Sequence, residues 1–289
     1  MGIKRRTRVW TSVGTAALLG GLASCSDPAE APVGPDTQED SRAASAAAFS
    51  EGEGEGEGEG EGEDGGSGGE FGIDPLEAET NPVIYLTALE VMRAHYLAGI
   101  DAFEAGERTA GAEMFAHPIS EIYIDFEPVL DARGAPLFGD IMTDASVAPY
   151  SGENDDAIAA RVDDVITAID TASDFAPRNH LSPAGVHARV MTDLIERAAL
   201  QFEVLATNPD AQEAYLDGYG FARAAERYAS HHLEQIADGD ADLALLLGRA
   251  VGAIQTAFPT ATRPTVLAGD STNLLALAGQ VRAGADALR

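Results

Sequence analysis

From residue 81 onward the apolar positions recur at spacings of three and four, and strand-like alternation is nearly absent. An α-helix imposes that period when one of its faces packs against a core. Asn81-Pro82 supplies a capping side chain followed by a proline in the first turn, which marks a helix start. The helix it opens is expected to run to about Ala105 and stop at Gly106. Its apolar residues fall on two faces. Leu89, Met92, Tyr96, Gly99 and Phe103 form one, and Ile84, Ala88, Val91, Ala98 and Ala102 the other. A helix apolar on both faces belongs at the centre of a bundle.

The same periodicity places a short partner helix over Glu107 to Phe115, so residues 86–115 read as a helical hairpin. Further helices are expected at about 119–132, 153–174, 183–206, 209–237, 240–257 and 271–287. Ser182-Pro183 and Asn208-Pro209 repeat the cap-then-proline start. Residues 134–152 form the longest irregular stretch, a candidate lid over one end. Asp238-Gly-Asp240-Ala-Asp242 alternates aspartates as a calcium loop does, but Leu243 and Arg249 occupy the positions where that loop needs glycine and glutamate. It reads as an acidic turn capping the next helix. The fold class expected for residues 81–289 is an all-α helical bundle, and the block is long enough to bury a sizeable core.

The periodicity stops upstream of residue 81. Residues 25–80 hold 17 acids and one arginine, including a strict Glu-Gly alternation from Glu51 to Glu63. Glycine is flexible, like charges repel, and neither face offers apolar surface, so this segment is expected to be a disordered acidic linker. Residues 1–24 are different again. Lys4, Arg5, Arg6 and Arg8 precede an apolar run from Val9 to Leu19 and a small-residue end. That is the layout of a secretory signal peptide, with an apolar run too short to span a bilayer. The segment closes on Leu22-Ala23-Ser24-Cys25, which resembles the bacterial lipobox. The resemblance implies cleavage before Cys25 and diacylglycerol on its thiol, and hence a membrane partner reached through a lipid anchor. Ser26 stands where an inner-membrane retention signal would place aspartate, which by resemblance points to the outer membrane.

Composition narrows the chemistry. Lys4 is the only lysine, so the chain beyond the export segment has neither Schiff-base chemistry nor a phosphate-loop GK[ST]. One cysteine permits no intrachain disulfide and no thiolate zinc cluster. The formal charge is −30, and residues 81–289 alone carry 31 acids against 13 arginines. Such a surface repels phosphate backbones, and no nucleic-acid partner is expected. Nucleophile elbows, H-E-x-x-H and dinucleotide loops are all missing.

Histidine and carboxylate remain. His117 and Glu121 lie four apart in Ala116-His117-Pro118-Ile119-Ser120-Glu121, where Pro118 favours a helix start. That spacing can put both side chains on one face, where they hold a divalent cation or merely cap the helix. His95 interrupts the apolar stripe of the first helix, and His187 continues the stripe Met191, Leu194, Ala198, Phe202 and Leu205. Glu226 falls on the Tyr219, Ala222, Ala229 and Leu233 face. Each alone reads as a satisfied core residue. Together His95, His117, Glu121, His187 and Glu226 are candidates for one metal centre inside a bundle.

A lipobox-anchored helical domain with a His-and-Glu motif resembles the imelysin-type proteins of bacterial iron uptake, helical envelope proteins with a G-x-H-x-x-E metal motif. The corresponding stretch here is Glu113 to Glu121, with H-x-x-x-E spacing and no glycine. The resemblance implies iron or another divalent metal as cofactor, with His117 and Glu121 as ligands. Two readings stand: a lipid-anchored metal-binding module with no bond-making chemistry, or a structural lipoprotein whose helical surface holds another envelope protein. A hydrolase using Glu121 or Glu226 as base lacks an identifiable nucleophile or oxyanion donor.

Overall fold

The computed structural model describes residues 73–289; the expected signal peptide, Cys25 and the Glu-Gly run lie outside the described residues. Among those described there is no β-strand, and the chain is an all-α bundle. A short helix α1 (Pro75–Ala78) is capped by Asp74, whose carboxylate accepts from the Leu76 and Glu77 amides. Ile73 and Ala78 are buried, so packing begins several residues before the expected start at 81.

Helix α2 (Pro82–Glu104) starts as expected, with the Asn81 side chain accepting from Val83 N–H at 3.0 Å. Every residue from Tyr85 to Tyr96 is buried. The reason is the two-faced apolar pattern: α2 packs against α3 (Arg108–Pro118), α6 (Asp155–Ser173), α7 (Pro183–Thr207) and α8 (Gln212–Gly239). Helices α7 and α8 form the largest pair, closed by α9 (Ala241–Ala257) and α10 (Ser271–Ala287). Ser182 caps α7 through Gly185 N–H, and Asp240 caps α9 through Leu243 N–H at 2.9 Å. The alternating aspartates at 238–242 therefore serve as a cap.

Three expectations are corrected. Pro118 does not start a helix. It ends α3, and the chain continues without a break through a π-helical turn (Ile119–Tyr123) into α4 (Ile124–Arg133). Proline has no N–H to give the carbonyl one turn back, and the bonding slips to the wider spacing, with Ile124 N–H on Ile119 C=O. Residues 134–152 are not an irregular lid. They contain α5 (Gly139–Val147) and a 3₁₀ turn (Ala148–Tyr150), fixed where Tyr123 Oη accepts from the Phe138 and Gly139 amides at 2.9 and 2.8 Å. Asn208-Pro209 does not open α8. The Asn208 amide donates to Val204 C=O and closes α7, so α8 begins only at Gln212.

Close helix approach depends on two glycine contacts on α2. A Cβ at Gly220 of α8 would sit 2.5 Å from the Ala94 carbonyl oxygen, and one at Gly111 of α3 would sit 2.6 Å from the Gly99 carbonyl oxygen. Gly252 on α9 faces open space instead. Gly220→Ala is expected to destabilise the protein by about 1–3 kcal/mol through overpacking. Gly252→Ala should stabilise it by about 0.5–1 kcal/mol, because helical glycine carries an entropic cost. Urea denaturation of both variants checks the pair, and equal stabilities would refute the close-approach argument.

Candidate metal centre

The Gly220 contact fixes the neighbour of Ala94, which is His95. Its imidazole is 2 % exposed and points between the α3 end and α8. Nδ1 lies 2.8 Å from the Val91 carbonyl of its own helix. A carbonyl only accepts, so Nδ1 carries the proton and Nε2 presents a lone pair. Nε2 faces Glu121 Oε2 at 3.6 Å and Asp217 Oδ1 at 3.7 Å.

His117 and Glu121 arrive from the continuous α3–π–α4 run. Because Pro118 forces the π turn between them, Glu121 is carried by a wider helical turn than the α-helical spacing assumed from sequence. His117 Nδ1 stands 3.8 Å from Glu121 Oε1 and 3.8 Å from Glu213 Oε1 at the start of α8. The His95 and His117 rings lie 6.3 Å apart, nearly perpendicular. One ligand atom each from His95, His117 and Glu121 falls within a group spanning 4.8 Å. Ligands bound to one ion at about 2.0–2.2 Å sit roughly 3.5 Å apart at tetrahedral angles, so small side-chain rotations would close the set.

Asp217 is the residue that sequence reasoning missed. It comes from α8, is 7 % exposed, and its Oδ1 has no hydrogen bond within the protein. A carboxylate left so is costly unless protonated or bound to a cation. Burial pushes its pKa from 3.8 up to about 7, with Glu213 adding to the rise and His117 opposing it. Burial also lowers the pKa of His95, against the opposing pull of the Val91 carbonyl and Glu121. Both shifts keep the centre low in charge, and they make a histidine–carboxylate set with room for a cation's charge.

The other two candidates lie elsewhere. His187 of α7 is held by Tyr228, Nδ1 to Oη at 2.7 Å, and stacks on His232 at 3.9 Å. Glu226 pairs with Arg223 at 2.7 Å near the surface. The structure thus brings together His95, His117 and Glu121, adds Asp217, and leaves His187 and Glu226 outside. A stripe on one helix sets direction, not which helix it meets. His187 faces Tyr228 and His232 on α8, while Asp217 occupies an earlier stretch of that helix.

Compared with known protein families, curated proteins and solved structures, the chain matches none. The reading of this centre therefore rests on its own geometry.

Asp217 gives the centre a pH signature. The folded chain keeps the Asp217 proton up to about pH 7, whereas the unfolded chain releases it near 3.8. Between those values the native state binds more protons, so this group's contribution to stability falls as pH rises. In the presence of a chelator, Asp217→Asn should exceed wild type by a few kcal/mol at pH 8, on the order set by a three-unit shift. The gap should close near pH 4. Chemical denaturation at the two pH values checks this, and a gap independent of pH would count against it.

Proposed function

We propose that this chain is a lipid-anchored cell-envelope protein whose helical domain binds iron or another divalent cation through His95, His117 and Glu121. Asp217 completes a two-histidine, two-carboxylate set. The carrying observation is that three donor atoms from two separate helical runs meet within 4.8 Å at one buried imidazole. Two imidazoles and a carboxylate suit Fe(II) or Zn(II), whereas an all-oxygen set would suit calcium or magnesium. The Val91 carbonyl supports the reading, because metal-binding histidines commonly donate their second ring N–H to such a group.

The anchor rests on residues 1–25: a basic start, a short apolar run and a single cysteine at the end of a lipobox-like segment. Among the described residues no helix is long and apolar enough to cross a membrane. On this reading the acidic chain between the cysteine and the bundle is a spacer. On the same reading the domain acts as a binder or carrier of the ion.

Metal analysis and calorimetry on the chelator-stripped protein should find one Fe(II) or Zn(II) per chain. His95→Ala and His117→Ala should each weaken affinity at least tenfold, the scale on which lost ligand support acts. Glu226→Gln should change it little. The same stoichiometry in wild type and in a His95/His117 double alanine variant would rule the reading out.

A further inference from the structure

A cavity opens on the opposite side of α2 from His95. Residues two apart on a helix point about 200° from one another, so Arg93 faces away from His95. There a cleft of about 830 Å³ lies between α2, the end of α6, the 174–182 loop and the α7–α8 pair. That size falls within the range of small-molecule sites. The cleft shares no residue with the His95 cluster, so its ligand chemistry is independent of whether that cluster holds a metal.

The charges lining this cleft are unevenly engaged. Arg93 Nε donates to both Glu90 oxygens at 3.2 and 3.0 Å, and its Nη2 reaches Asp170 Oδ1 at 2.7 Å. Asp170 Oδ2 is taken by Arg227 Nη2 at 2.9 Å. The two acids nearest Arg93 are therefore occupied. Arg93 is not: its Nη1 is buried and has no hydrogen-bond partner in the protein, on a side chain only 2 % exposed. A guanidinium nitrogen carries two N–H donors and accepts nothing, so the unmet requirement is for an acceptor, best an anionic one.

The rest of the wall suits an apolar body. Leu86 and Val186 line the cleft, beside the stacked imidazoles of His187 and His232. Burial lowers the pKa of both rings, that of His232 to about 4, so near neutral pH they present uncharged flat surface. From Arg93 and these walls we infer that the cleft binds a small organic monocarboxylate. Its carboxylate meets Arg93 Nη1, and its hydrocarbon part lies against Leu86, Val186 and the imidazole pair. A cation finds the two carboxylates beside Arg93, those of Glu90 and Asp170, already paired. A phosphate dianion would bring its second charge close to the carboxylates of Glu90, Asp170 and Asp174, which line the same cleft.

The test titrates the purified whole protein with benzoate, cyclohexanecarboxylate, benzamide, benzamidine and inorganic phosphate, followed by calorimetry and histidine-ring NMR. Either carboxylate should bind saturably and at least about tenfold tighter than benzamide, because an ionised acceptor makes the stronger hydrogen bond. Benzamidine and phosphate should not bind. The ring signals of His187 and His232 should shift while those of His95 and His117 stay in place. Arg93→Gln should lower carboxylate affinity at least about tenfold, a factor well resolved by titration. If that variant does not fold, Val186→Trp, which fills the cleft from its wall, should abolish binding instead. The inference is overturned if neither carboxylate saturates by about 10 mM, a weak-binding limit. Benzamide binding equally well, or Val186→Trp binding like wild type, overturns it too.

Discussion

Everything of functional interest depends on how closely α2 is approached from two sides. Gly220 lets α8 lie against the Ala94 carbonyl, and Gly111 lets α3 lie against the Gly99 carbonyl. One contact is next to His95 and the other a helical turn further along. Larger residues there would push α3 and α8 outward by ångströms. The distances of 3.6 to 3.8 Å among imidazole and carboxylate atoms would then open beyond the reach of a shared ion. The centre is thus a consequence of backbone packing before it is a matter of side-chain chemistry.

The central helix also carries unusual polar content for a buried element. Glu90, Arg93 and His95 are all nearly inaccessible, within two turns of one another. Burying ionic groups rarely adds net stability, even when they pair as Glu90 and Arg93 do. The bundle tolerates them because α2 has neighbours on every side, each able to supply a partner. Asp170 of α6 comes to Arg93, and Glu121 and Asp217 come to His95 from opposite helices. A peripheral helix could bury at most one such face. Two different polar environments can therefore occupy one short stretch without sharing a residue.

Most of the fold was legible from local signals. Asn81-Pro82, Ser182-Pro183 and Asp240 each mark a helix start that the structure keeps, because a cap satisfies amides that the helix itself cannot. Asn208-Pro209 misled because the same asparagine was needed to close the preceding helix. Pro118 misled because a wider turn accommodates proline without ending the run. His117 and Glu121 were readable as a pair four residues apart, and His95 as a polar interruption of an apolar stripe. Asp217 carried a signal of the same kind, as the single charge in the otherwise uncharged run Ala214 to Ala222. That His187 and Glu226 lie apart from the rest could not be read, because periodicity gives a side chain's direction around its own axis and says nothing of the neighbouring helix. The Arg93 cleft was hidden for the same reason.

The absence of lysine from residues 73–289 has a consequence for how the domain responds to base. All of its side-chain cations are arginines, which stay protonated at any pH a protein survives. Tyr85 is pushed up to about 12 by burial, and Tyr96, Tyr123, Tyr215, Tyr219 and Tyr228 are raised as well. Most of the groups that ordinarily titrate around pH 10 are thus missing or displaced upward. Once its carboxyls and imidazoles have given up their protons, the domain has little left to lose, and its electrophoretic mobility stays nearly flat across the mildly alkaline range. Its whole acid–base behaviour is concentrated in the residues that line its two polar interiors and its acidic surface.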